Sequence, residues 1–335
     1  MTTLPADTLA RRMGEALRRR GLTDEHTGYV VDGLIEASLR GIDTHGVRLF
    51  PTYLAELDGG RSRARPELSW SGDRPAARVL DAGGALGLVA GRVACAEATR
   101  LARRNGAGTV SVRNSNHFGA ASVYTLAMAR DGVLGMSFTN SDALVAPYNG
   151  VRPLFGTNPL SLAVHGEGDD LFCADLATSQ VSYSKVKHHR AQGIPLDAGW
   201  AVTADGGDAA PDGEAVALKP LGGHKGHCLG MMVEILSSLL SGMPLDHELS
   251  HLYGEPYDEP RRVGHFFLAL DPGAFLDPEA FRRSLSRLMG CVREQPAVGG
   301  ERVIVPGDLE DESTAARRSA GIPLTAEEAV FFDRL

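Results

Sequence analysis

Between residues 6 and 40 apolar side chains recur every three or four positions, at Leu9, Met13 and Leu17 and again at Val30, Val31, Leu34, Ile35 and Leu39. That period places them on one face of a helix. Two amphipathic helices are predicted, over 6–20 and 23–40, the second stopped by Gly41, and a third over 50–57 beside Pro51. Past Pro66 the period shortens. Residues 77–81 and 108–112 have strand composition, while 89–105 between them reads as a helix. Strand, glycine-rich turn, helix and strand in succession make an α/β pattern. A helix over 121–130 and a strand over 133–138 follow, and later strands at 266–270 and 302–305 flank a helix over 278–289. The longest apolar stretch, 229–243, contains Glu234. It falls short of the roughly 20 residues of a membrane helix and is predicted to be a buried one. Residues 166–170 and 204–214, rich in Gly, Asp and Pro, read as surface turns. The expected fold is α/β: a mixed-sheet body over 71–309 joined to a helical N-terminal domain over 1–70, with 310–335 packed on that domain.

A chain of 335 residues, 43% of them hydrophobic, can bury a sizeable core. The net charge of -8 argues against a broad surface for nucleic acid, which needs Lys and Arg to neutralise phosphates. The N-terminal residues lack the basic segment and apolar run of a secretory leader. The 4 cysteines are far apart with no Cys-x-x-Cys pair, as expected of reduced thiols in the cytoplasm rather than of a disulfide or zinc framework. No His-Glu-x-x-His occurs among the 11 histidines, and no metal is expected.

Candidate chemistry lies in several short segments. Gly41-Ile42-Asp43-Thr44-His45-Gly46 sets an imidazole beside a hydroxyl and a carboxylate in a glycine-bounded turn. This serves either acid/base work or the capping of a helix. Ser115-Asn116-His117-Phe118-Gly119-Ala120 follows a predicted strand and leads into a helix, where free amides hold an anion or where Ser115 or Asn116 is an N-cap. Gly222-Gly223-His224-Lys225-Gly226 precedes the long apolar helix and has the small residues and point charge of a phosphate site, or of an ordinary glycine turn. Gly156-Thr157-Asn158-Pro159 and Asp175-Leu176-Ala177-Thr178-Ser179 put hydroxyl and amide groups at predicted strand ends. Neither a P-loop nor a Gly-x-Gly-x-x-Gly fingerprint is present, which disfavours a Rossmann cofactor site.

Taken in order, and together with Pro306-Gly307-Asp308, these segments resemble the malate/L-lactate dehydrogenase family of the second, non-Rossmann type, from about residue 10 to about residue 310. The resemblance implies a homodimeric oxidoreductase using NAD or NADP on a small 2-oxo or 2-hydroxy acid, with its site in a cleft. By motif position His45 is the general acid/base, Thr44 supports it where serine is common, and His117 is its rival for the proton. His117, Phe118, Gly119 and Ala120 lie along the cofactor or face the substrate, and Asp175, Leu176 and Ala177 contact the cofactor's nicotinamide half. Lys225 and Gly226 hold phosphate, and Gly307 and Asp308 complete the site. Thr157 contacts the substrate and Arg48 its carboxylate, a group that a guanidinium pairs two-pronged. Leu49 stands where arginine is common in the family, Ser184 where glycine is usual, His227 where an aromatic residue is frequent and Asp308 where Glu is common. Reduction of a cyclic 2-imino acid in the same fold, or a nucleotide-binding protein without chemistry, are the alternatives.

Overall fold

A computed structural model describes residues 2–209 and 215–335; the part of the expected 204–214 turn at 210–214 lies outside the described residues. The chain opens with β1 (Thr2–Leu4), α1 (Ala6–Arg19), α2 (Asp24–Leu39) and α3 (Phe50–Gly59). Leu9, Met13 and Leu17 of α1 are fully buried, as their spacing requires. Helix α2 starts where the Thr23 hydroxyl accepts a hydrogen bond from the His26 amide at 3.1 Å, an N-cap.

The body follows with β2 (Ser69–Arg74), β3 (Ala77–Asp81), α4 (Gly87–Asn105), β4 (Ala107–Ser115), α5 (Ser122–Arg130), β5 (Leu134–Thr139), β6 (Leu160–His165) and β7 (Leu171–Leu176). Then come α6 (Tyr183–Ala191), β8 (Ala201–Val202), β9 (Ala217–Leu218), α7 (His224–Glu234), β10 (Val263–Leu270) and α8 (Pro278–Arg293). The chain closes with α9 (Asp308–Ala320), β11 (Ile322–Leu324) and α10 (Ala326–Asp333). Among the described residues no helix is long and apolar enough to cross a membrane.

One seven-stranded sheet has the order β2-β3-β4-β10-β5-β6-β7, with β3 and β4 parallel and every other neighbouring pair antiparallel. The mixed sheet is that of a non-Rossmann α/β body. Two antiparallel steps separate β4 from β5, through β10, and two separate β5 from β7, through β6. Strands β4, β5 and β7 therefore point the same way, and the segments that follow them emerge at one end of the sheet. Helix α4 covers β4 closely: a Cβ on Gly108 would stand 2.2 Å from the Ala98 carbonyl oxygen. The C-terminal segment returns to the start of the chain. Strand β11 pairs with β1, and Phe332 of α10 stacks on Phe50 at 6.1 Å between ring centroids.

Two sequence expectations are corrected. Residues 302–305 form no strand; they run as coil into the turn that starts α9. The run Val303-Ile304-Val305 suits a strand, but the Val305 amide donates to the Asp308 carboxylate at 2.8 Å, and the β7 edge is met past the run, where the Cys173 amide donates to the Pro306 carbonyl at 3.0 Å. The 229–243 stretch is not uniformly buried. Helix α7 passes into a π-helical turn, Ile235–Leu239, and Met231, Met232, Ile235, Leu239 and Leu240 are exposed. Composition marked the stretch as apolar all round, whereas the chain alone covers one side of it.

Candidate active site

A cavity of about 330 Å³ opens where β4, β5 and β7 end. The turn Asp43–His45, a single 3₁₀ turn after α2, brings Thr44 and His45 to its wall. This turn is held from the far end of the chain: Arg317 of α9 pairs two-pronged with the Asp43 carboxylate. Gly46 lies tight against α2, where a Cβ would stand 2.0 Å from the Ser38 hydroxyl. The Thr44 hydroxyl is 2.9 Å from His45 Nδ1.

His117 reaches the same cavity from the loop after β4. Asn116 anchors that loop, its side-chain amide donating to the Ala85 carbonyl at 3.0 Å, and Gly87 permits the close approach, since a Cβ there would meet the Asn116 carbonyl oxygen at 2.3 Å. Ser115 and Asn116 are thus not the N-cap of α5, which starts at Ser122. Gly119, at φ 75°, turns the chain toward that helix and with Ala120 lines the cavity. Phe118 points instead into the core and stacks on His265 at 4.7 Å. His265 spans two strands, with Nδ1 2.7 Å from the Thr139 hydroxyl and Nε2 2.8 Å from the Ser115 hydroxyl. Burial pushes its pKa down to about 3, so it is a neutral pin under the loop.

The rings of His45 and His117 stack at 5.7 Å and 26°. Burial lowers the pKa of His45, and the charge of Asp175 partly offsets this. Burial holds His117 well below the usual imidazole range, with His45 adding to the effect. Asp175, at the end of β7, accepts a hydrogen bond from the Ser122 amide at 2.8 Å, at the positive end of α5. Burial raises its pKa against that bond and the nearby His45. Leu176 and Ala177 continue the wall, and Thr157 completes it. The Thr157 amide donates to the Ser141 hydroxyl at 3.0 Å, while the Gly156 amide and the Asn158 side chain each donate to Asp246 at 2.7 Å. Asp246 is buried beside Glu234, and desolvation and that neighbour raise its pKa.

The remaining expected residues lie elsewhere. Arg48 is half-exposed, ion-paired with Glu328 at 2.6 Å, and does not line the cavity. Lys225 is exposed and Gly226 is buried, both at the start of α7. Gly307, at φ 110°, precedes α9, and both Asp308 carboxylate oxygens accept hydrogen bonds from Arg293. Sequence reasoning missed several lining groups. Arg40 is buried and paired with Asp311 at 2.7 Å, and Asp142 is paired with Arg261 and lies 3.6 Å from His251. It also missed Tyr53, whose hydroxyl is 2.8 Å from His117 Nδ1. In sequence, Phe50, Tyr53 and Leu54 are only an apolar helix face, and nothing local points Tyr53 at a histidine 64 positions away.

Paired imidazoles, a carboxylate and a hydroxyl around one cleft, at the end of a mixed α/β sheet, define an acid/base enzyme site. The chain belongs to the malate/L-lactate dehydrogenase family, which matches residues 4–330. It is 32% identical to a ureidoglycolate dehydrogenase (NAD(+)) of Escherichia coli, over 91% of this chain and 87% of the relative. It is 33% identical to a (2R)-3-sulfolactate dehydrogenase (NADP(+)) of Chromohalobacter salexigens, over 97% and 94%. The crystal structure of malate dehydrogenase from Entamoeba histolytica superposes with a TM-score of 0.92 at 30% identity, covering 99% of this chain and 96% of that one. The protein is therefore an oxidoreductase of a nicotinamide-dependent dehydrogenase family acting on small hydroxy and oxo acids.

The cavity fits the nicotinamide end of such a cofactor. Gly119, Ala120 and Ala121 form a stretch of wall without long side chains, and Ser122, Thr157 and Asp175 stand beside it. A planar ring bearing an amide needs that combination of flat space and polar groups.

Proposed function

We propose that this protein reversibly reduces a small 2-oxo acid to the 2-hydroxy acid with NADH or NADPH, His45 giving the proton in reduction and taking it in oxidation. The observation that carries the reading is the meeting of His45, His117, Thr157 and Asp175 in one cavity. When bound, the nicotinamide supplies hydride for C2 of the acid. Asp175, Leu176, Ala177, His117, Gly119 and Ala120 hold its nicotinamide half, Lys225 and Gly226 hold phosphate, and Phe118, Gly307 and Asp308 shape the site from behind. His45 protonates the developing alkoxide, its ring steadied by the Thr44 hydroxyl at Nδ1. Thr157 donates to a substrate oxygen. Arg48 leaves Glu328 for the substrate carboxylate, so Arg48→Leu raises KM for the acid about tenfold, the worth of a charge-assisted hydrogen bond.

The test is NADH and NADPH oxidation with a panel of 2-oxo acids and cyclic 2-imino acids. Turnover with the oxo acids is expected. Turnover with the imino acids alone moves the reaction to C=N, and none with any compound favours a nucleotide-binding protein without chemistry. The exposed apolar face of α7 supports a homodimer, with Met232, Leu239 and Leu240 each 56% exposed in the single chain. Light scattering giving one chain's mass at micromolar concentration would overturn it. The widely spaced free cysteines support a cytoplasmic setting.

A further inference from the structure

Tyr53 is fully buried, and its hydroxyl has no route to solvent. Among the described residues, the acceptor within its reach is His117 Nδ1, at 2.8 Å. A buried O–H must be spent on an acceptor, so this one donates to the ring nitrogen. The Gly119 amide also points at Nδ1, at 3.4 Å, and a backbone N–H has no other role than donor. Two donors converge on one nitrogen. Nδ1 is therefore the lone-pair nitrogen of His117, and the ring carries its proton on Nε2.

His45 is held differently. Its Nδ1 meets the Thr44 hydroxyl, which is free to donate or accept, so neither tautomer nor charge is fixed by that contact. With the two rings stacked at 5.7 Å, charge on one disfavours charge on the other.

We infer that Tyr53 is a positioning residue that locks His117 in the Nε2–H tautomer, making it a neutral hydrogen-bond donor to the substrate C2 oxygen and leaving proton transfer to His45. This rests on the 2-oxo acid reading above. In the reductive step the hydride that the bound nicotinamide would supply becomes the new C–H bond at C2, and the carbonyl π pair moves to oxygen. His45 loses a proton to that oxygen, while His117 keeps its own. As a base His117 is blocked, because Nε2 is already protonated and Nδ1 is occupied by two donors.

The tautomer is measurable without turnover. In the full-length protein labelled with ¹⁵N-histidine, long-range ¹H–¹⁵N correlation reports which ring nitrogen bears hydrogen, and His117→Asn identifies the signals. The expected pattern is Nε2–H; an Nδ1–H pattern, or a protonated ring at neutral pH, overturns the inference. Tyr53→Phe is expected to give a mixed tautomer and about a tenfold loss of kcat, roughly the value of one hydrogen bond. In that variant the ionisation in the pH–rate profile stays with His45. An unchanged ¹⁵N pattern in Tyr53→Phe overturns the role of Tyr53, and if that variant does not fold, the wild-type spectrum decides. Failure of the 2-oxo acid reading looks different: no acid is turned over while the Nε2–H pattern is present.

Discussion

The two ends of the candidate cofactor path are built in opposite ways. At the acid/base end, His45 and His117 are fixed by groups distant in sequence: Arg317 through Asp43, Tyr53, and His265 beneath Phe118. At the other end, the Lys225 side chain stands exposed on the first turn of α7, although the glycine-rich backbone before it is tied to Thr178 and Gln180. Chemistry that needs placement to a fraction of an ångström draws on long-range contacts. Attraction of an anion by a point charge and free amides does not.

The sharpest test of this contrast is His45→Ala. Turnover should fall on the order of 10²–10⁴-fold, the usual worth of a positioned proton donor, with NAD(P)H binding retained by fluorescence titration. Wild-type-like turnover would remove His45 from the mechanism. Next in size is the pH dependence of the unmutated enzyme. Because burial lowers the pKa of His45, its proton is lost below the ordinary imidazole value. Reductive kcat/KM should therefore fall about tenfold per pH unit above that lowered pKa, while the oxidative rate rises and levels off. A flat reductive profile from about pH 5 to pH 8 would count against a histidine acid.

At the open end the expected effect is smaller. Lys225→Ala should raise KM for the cofactor about tenfold at low salt, less at high salt, with kcat little changed. An equal loss in kcat would mean that Lys225 belongs with the placed groups. The smallest effect concerns Asp246, which holds the Gly156 amide and the Asn158 side chain on either side of Thr157. Its raised pKa means that the folded protein keeps a proton the unfolded chain releases in the ordinary carboxylate range. Stability is therefore lost as pH climbs out of that range toward the raised pKa. Asp246→Asn mimics the protonated acid and should flatten this decline between about pH 5 and pH 8, read from urea midpoints. An unchanged slope would show that the proton resides on another group.

The same division explains what could be read from the chain. Helices α1, α2, α4 and α8 were legible because apolar period and composition are local signals. The candidate residues of the short motifs were legible for the same reason, and the structure gathers His45, His117, Thr157 and Asp175 at one cavity. Tyr53, Arg40 and Asp142 were not, because a buried Tyr on an apolar face and a charged residue near a turn carry no mark of the partner they will meet. Residues 302–305 failed in the opposite sense, having strand composition while the Val305 amide is taken by the Asp308 carboxylate.

The clasp between the two chain ends has a consequence for synthesis. The turn bearing His45 leaves the ribosome well before Arg317, which grips Asp43, and β1 well before β11, which pairs with it. A nascent chain can complete α1, α2 and most of the sheet without being able to set His45 in place. The grip of Arg317 on the turn that bears His45 is thus set only after α9 has been made.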